Sequence, residues 1–268
     1  MFTTTNEPPP GPAMGSAFDA LAPGFERQRQ VPSHVPPSVR RAVLAALGDV
    51  RRPRILDLGA GTGRFGWPFV AAGDDYVGVD LSAFMLRAFA QRDAEQPPAL
   101  VQADGSALPF PGASFDLVLL VAVFGDQPDW RKLIDETRRV LRPGGTIAIG
   151  RTVQPEDGID ATMKNRLATL LDNPGPRKNG RLHAAQHLAT VATTITPLVP
   201  ATWPAQRSPR QFLDRHATGA RFSRLPPSTR DHALRALGSW AEQRFGSLDA
   251  TFAETHRFEL QLFSFRQG

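Results

Sequence analysis

The 268-residue chain contains no cysteine, which removes disulfides, thiolate-bound zinc, iron–sulfur clusters and cysteine nucleophiles together. Lysine is nearly as scarce, three residues among 31 basic ones, and Tyr76 is the single tyrosine. No segment approaches the roughly 18 to 20 apolar residues of a membrane helix, and Met1–Pro12 has no basic stretch leading into an apolar one. A cytoplasmic chain without a membrane partner is therefore expected. Runs of basic residues are also missing: the net charge is +5, but the arginines are interleaved with acids, a pattern of solvated faces that predicts no nucleic-acid partner. No internal repeat is visible.

What is present is enough apolar material, 41% of the residues, to bury a core in one large domain. Residues 1–15 are rich in Pro, Gly and Thr and read as a flexible tail. Pro36–Gly48 has a helix signature, with prolines first, Val39, Val43, Leu44 and Leu47 on one stripe, and glycine last. Then come five short apolar runs, Arg54–Leu58, Tyr76–Asp80, Leu100–Asp104, Phe115–Val123 and Thr146–Gly150, which read as buried parallel strands. The clearest helix between them is Asp129–Leu141, with Trp130, Leu133, Ile134, Thr137 and Leu141 on one face and a stop at Arg142–Gly145. Strand alternating with helix predicts a doubly wound sheet. Residues 16–152 form its core. Residues 153–268 complete the same domain, with helical insertions at about 153–190 and 205–245 and last strands at about 192–203 and 256–266. The final run, His256–Arg266, alternates and suits an antiparallel edge strand, preceded by a helix over about Ser228–Phe245 with Leu234, Leu237, Trp240 and Ala241 inward.

The chemistry is concentrated after the first strand. Asp57-Leu58-Gly59-Ala60-Gly61-Thr62-Gly63 sits where a glycine-rich turn brings backbone N–H groups close to a nucleotide-like ligand. Gly61, Gly63 and Gly66 also satisfy the dinucleotide pattern, with Asp80 at the distance of a ribose-binding acid. An acid immediately ahead of the glycines, Asp57, suits an ammonium better than a pyrophosphate. A third element, Asp104-Gly105-Ser106 within Ala103–Phe110, places a carboxylate and backbone amides where they can read an adenine edge.

In these motifs the sequence resembles the class I S-adenosylmethionine-dependent methyltransferases, in the group with the methyltransferase type 11 domain. The resemblance covers about Phe18 to Gly150, through D-L-G-A-G-T-G, V-G-V-D-L-S, A-D-G-S-A-L-P-F, S-F-D-L-V and R-R-V-L-R-P-G-G in order. It implies a Rossmann-like, mostly parallel seven-stranded α/β sheet with an antiparallel C-terminal strand and a helical cover. It implies S-adenosylmethionine as cofactor, S-adenosylhomocysteine as product, and a small-molecule acceptor, with residues 153–225 shaping a largely apolar or aromatic pocket.

By the same resemblance Asp57, Gly59, Ala60, Gly61, Thr62 and Gly63 line the methionine and ribose portion, and Asp80 accepts from both ribose hydroxyls. Leu81 packs on adenine, Asp104 accepts from its amino group, Gly105 or Ser106 meets the ring nitrogens, and Val121 passes near the sulfonium. Asp80 and Asp104 also read as helix caps or surface acids, and Ser82 as an ordinary N-cap. Arg29 matches a basic position that approaches the cofactor carboxylate or stays exposed. Phe18 and Phe25 stand where the family usually has tyrosines; with Phe124, Trp203 and Arg207 they are the candidates to face the acceptor.

Val121–Gly125 carries no histidine, so a histidine base at that place is excluded, and no catalytic residue is assigned. His183 and His187, four apart on a helix, lack a third ligand, and no metal is expected. Two rival functions are a non-catalytic S-adenosylmethionine-binding protein or cyclase scaffold, and a nicotinamide-dependent oxidoreductase.

Overall fold

The computed structural model describes residues 31–48, 50–93, 97–121, 123–124, 129–171, 180–217 and 226–266. Phe18, Phe25, Arg29 and the expected tail lie outside them. Helix α1 (Val35–Ala46) has proline in its first turn and buries Val35, Pro36, Val39 and Val43. Strand β1 (Ile55–Leu58), helix α2 (Trp67–Val70), β2 (Tyr76–Asp80), α3 (Ala83–Ala90), β3 (Ala99–Gln102), β4 (Phe115–Val121), α4 (Trp130–Val140) and β5 (Leu141–Val153) follow. The remainder is α5 (Ile159–Leu170), α6 (Gly180–Val191), β6 (Thr194–Arg207), α7 (Pro209–Ala217), α8 (Pro227–Phe245) and β7 (Phe252–Ser264).

One seven-stranded sheet runs β3-β2-β1-β4-β5-β7-β6, parallel from β3 to β5 and antiparallel where β7 enters between β5 and β6. The order reverses at β1 and β4, and in an open sheet of this kind the crevice at the strands' carboxyl ends opens there. Alternation along each strand sends side chains to opposite faces. Leu56 and Leu58 join Leu133, Ile134, Ala184 and Leu188 under α4 and α6. Ile55, Leu117 and Leu119 join Val39, Val43, Phe69 and Phe89 under α1 to α3.

Several expectations are corrected. Strand β3 is an edge strand and largely uncovered rather than buried, and it stops at Gln102, so Asp104 lies in the turn beyond. The run 256–266 is not the edge: β7 begins at Phe252 and is flanked on both sides, because Phe258, Leu260 and Leu262 fill one face and Phe263 the other. The edge on that side is β6, which contains Pro197, Pro200 and Pro204. In α8 the buried residues are Ala233, Leu237 and Ala241, with Leu234 and Trp240 half-buried. Trp240 still packs inward, against the cluster that holds Leu237 and Ala241, and meets Phe245 edge-on.

The two stretches read as helical insertions hold two kinds of helix. Helix α6 lies on the sheet through Ala184, Ala185 and Leu188. Helices α5, α7 and α8 bury Met163, Leu167, Phe212, Leu237 and Ala241 in a separate core. Because α5 follows directly on β5, that layer sits at the carboxyl edge of the strands. Among the described residues, no helix is long and apolar enough to cross a membrane.

Candidate active site

The turn after β1 is fixed from below. The amides of Gly59 and Ala60 both donate to the Val79 carbonyl at 2.8 and 2.9 Å, which ties the turn to the end of β2. Gly59, Gly61 and Gly63 have φ of 83°, 56° and 80°, a region in which L side chains are strained. Their surroundings differ. A Cβ on Gly63 would lie 2.2 Å from Phe89 Cδ2, and one on Gly66 2.1 Å from the Tyr76 hydroxyl, whereas at Gly61 nothing comes nearer than the Gly59 carbonyl at 4.0 Å. Gly63 and Gly66 are therefore glycines because the core presses against the backbone. Gly61 is the one with open space above it.

Asp80, half-buried at the end of β2, accepts from the Gly61 amide through Oδ2 and from the Ser82 amide through Oδ1, both at 2.9 Å. The carboxylate is thereby held between the glycine turn and the start of α3. Ser82 is the N-cap, its Oγ accepting from Met85 N at 3.2 Å. Next to Asp80, Leu81 is 55% exposed and Phe84 39% exposed, an apolar surface beside a carboxylate. Across from it, exposed Asp104 accepts from the Ser106 amide at 2.9 Å, and Gly105 is buried against Leu58 and Leu133. Val121 ends β4 on the face of α1 to α3. Phe124 is in the core on the opposite face.

Asp57 is placed differently from a residue that lines an open pocket. It is 3% exposed, and its Oδ2 accepts from the Tyr76 hydroxyl at 2.8 Å. Burial, with the nearby negative charge of Asp80 adding to it, pushes the carboxyl up to about 7 against the lowering effect of the Tyr76 bond. Burial likewise drives the Tyr76 phenol well upward. Sequence reading placed Tyr76 only as a strand residue. A usable signal was present, since a hydroxyl inside an apolar strand needs a buried partner, and β2 lies beside β1.

A second polar cluster joins the sheet to the α5–α7–α8 layer. Glu254 on β7 accepts from the Ile159 amide through Oε1 at 2.7 Å and pairs with His256 Nε2 through Oε2 at 2.9 Å. The carboxylate thus caps α5 from another element, and a Cβ on the N-cap residue Gly158 would come within 2.7 Å of it. Gln154 donates to Asp160 at 2.8 Å, and Arg215 on α7 bonds the same carboxylate. Trp203, 6% exposed on β6, meets the His256 ring edge-on at 5.9 Å. Arg207 lies at the end of β6, its guanidinium lowered chiefly by burial and further by the positive charge of Arg215, against the charges of Asp160 and Glu254. His256 and Glu254 were not assigned from sequence, because the pairing of β7 with the end of β5 brings them to the edge. Among the described residues no cluster of metal-ligating side chains occurs.

Residues 56–149 match the family described as methyltransferase domain. Among curated proteins the chain is similar to the demethylmenaquinone methyltransferase of Renibacterium salmoninarum, 32% identical over 56% of this chain and 63% of that one. It is also similar to the protein of the same name from Thermus thermophilus, 39% identical over 44% and 56%, and to an uncharacterized methyltransferase of Mycolicibacterium vanbaalenii, 43% identical over 37% and 39%. The chain thus spans less than two thirds of the length of these relatives. Among solved structures the fold is like that of the YcgJ protein from Bacillus subtilis, with a TM-score of 0.55 at 20% identity, covering 85% of this chain and 98% of that one. It is also like that of the [4+2]-cyclase SpnF, with a TM-score of 0.54 at 16% identity, covering 96% and 99%.

Proposed function

We propose that this chain, whose residues 56–149 form a methyltransferase domain, transfers a methyl group from S-adenosylmethionine to a small, largely apolar or aromatic molecule. The observation that carries the reading is the anchoring of Asp80 between the Gly61 and Ser82 amides. It aims a preorganised acceptor at a diol, with exposed Leu81 beside it for a flat base and Asp104 at the next strand end for an exocyclic amine. The open side of Gly61 gives the ligand room to lie on the backbone. That several relatives are named for demethylmenaquinone, an apolar quinone-type acceptor, supports the acceptor class.

When bound, the cofactor supplies a methyl group already activated on a sulfonium. The chain's task is then to align the acceptor with it and exclude water, an effect worth at most about 7 to 11 kcal/mol. The helical layer over the carboxyl edge, with its core of Met163, Leu167, Phe212 and Leu237, is the material available for apolar walls. The nicotinamide reading is disfavoured by Tyr76, the only tyrosine, whose hydroxyl is committed to Asp57 inside the core.

Calorimetry tests the reading: S-adenosylhomocysteine should bind in the micromolar range and a nicotinamide dinucleotide should not. The reverse pattern would overturn it. Asp80→Ala should weaken S-adenosylhomocysteine about ten- to a hundredfold, the value of hydrogen bonds to a charged acceptor. It should also lower the melting temperature, since two backbone amides lose their partner. Unchanged affinity with lowered stability would make Asp80 a turn-fixing residue only.

A further inference from the structure

His256 is wholly buried, and among the described residues its Nδ1 has no hydrogen-bond partner. Such an atom normally costs a protein about 1 to 3 kcal/mol. The other ring nitrogen fixes the tautomer. Glu254 Oε1 is already the acceptor of the Ile159 amide, and a carboxylate accepts at both oxygens, so the 2.9 Å contact to Oε2 is a bond that His256 donates from Nε2. In the neutral ring Nδ1 then carries a lone pair. A carboxylate that orients an imidazole and supports the cation it becomes is the arrangement of a general base.

Its place in the sheet suits that role. Val121 pairs with Gly150, Gly150 with Leu260, and Thr152 with Phe258. His256 is the next residue on the same face of β7, four residues from Leu260 and just past the level of Val153, the last residue of β5. Phe258 contacts Phe65 of the segment after the glycine turn at 4.9 Å between ring centroids, so one aromatic residue connects the turn to the histidine's face. Trp203 flanks the imidazole. Arg207, on the same face of β6, also has a buried unpaired atom, Nε.

Resting on the methyltransferase reading above, we infer that His256 is the proton acceptor for the acceptor molecule, which is a group with a proton to lose, and we assign it to the phenol, enol or hydroquinone class. The hydroxyl proton passes to Nδ1, leaving an imidazolium held by Glu254. The pair freed on the oxygen, or its conjugate carbon, forms the bond to the methyl carbon, while the sulfur keeps the pair of the bond that breaks. Water later removes the proton from the ring. The imidazole is wholly buried, so the acceptor reaches Nδ1 only when the side chains that cover it move aside.

The test uses the full chain, and its first readout needs no turnover. Nitrogen–proton correlation on histidine-labelled protein loaded with S-adenosylhomocysteine should place the His256 proton on Nε2; a proton on Nδ1 overturns the inference whatever the activity. The second readout is methyl transfer to 1,4-dihydroxynaphthalene kept reduced. His256→Gln retains a donor toward Glu254 but has no basic nitrogen at Nδ1. It should melt within a few degrees of the wild type, bind S-adenosylhomocysteine within twofold, and lose about 100-fold or more in turnover, the usual contribution of a general base. Turnover within threefold of wild type in a folded His256→Gln protein makes the residue a support for α5 and sinks the inference. A wild type that fails to bind S-adenosylhomocysteine sinks the methyltransferase reading instead, and one that binds it yet methylates none of this acceptor overturns the assigned acceptor class.

Discussion

Gly63→Ala is expected to destabilise the domain by about 2 to 6 kcal/mol, read by urea unfolding. The sum has two parts. A non-glycine residue held at positive φ costs about 1 to 3 kcal/mol, and the backbone there sits at φ 80°. Forcing a methyl into a packed core costs a similar amount, and here the Cβ would overlap a Phe89 ring that is itself fully buried. Gly61→Ala is the informative control. It carries the φ cost, but its methyl meets open space, so stability should fall by only about 1 to 2 kcal/mol while affinity for S-adenosylhomocysteine drops sharply. If the two variants unfold at the same urea concentration, Phe89 is free to move and the division of labour among the glycines is wrong.

The second large effect is on pH dependence, through Asp57. Its carboxyl goes from an ordinary 3.8 to about 7 in the folded protein, so the folded state holds a proton that the unfolded chain has already released. Stability from this group is therefore fully present below about pH 4 and is lost as pH rises to 7, after which the loss is constant. At about 1.36 kcal/mol per pH unit, the difference between 7 and 3.8 amounts to on the order of 4 kcal/mol. Asp57→Asn removes the titration. Relative to wild type, the variant should gain stability steadily between pH 4 and 7, measured by chemical denaturation at each pH. A wild-type minus variant difference that stays flat across that window would show that Asp57 is ionised in the fold. The ammonium of a bound cofactor would draw the carboxyl down again, so binding near neutral pH should release a fraction of a proton, detectable as buffer-dependent heat.

The parts legible in the sequence are those encoded locally. Strand β2 was bounded correctly at Tyr76–Asp80, and α4 within a residue at each end, since a buried run and an amphipathic stripe opened by Asp129 each carry their own signal. Helix α6 and the α5–α7–α8 layer were not separable. All four mix apolar and polar residues, and only their packing partners distinguish sheet-facing Leu188 from cover-facing Leu167. The glycine turn and the acids beside it were legible because they fall on consecutive strand ends. The Asp57–Tyr76 and Glu254–His256 pairs were not, because each owes its place in the fold to how neighbouring strands are arranged, although Glu254 and His256 themselves lie two residues apart on β7. The first crosses from β1 to β2, and the second reaches the edge only through the antiparallel register of β7 against β5.

The three prolines of β6 have a consequence of their own. A strand residue without an N–H is tolerated only where that position faces away from its neighbour. Pro197, Pro200 and Pro204 therefore remove donors from the outer side of the last strand, the side with no partner in the sheet. An intruding β-segment would find a comb with missing teeth, unable to complete a ladder of bonds along 14 residues. The β6 edge is thus a poorer template for another chain than an edge strand with all its donors would be.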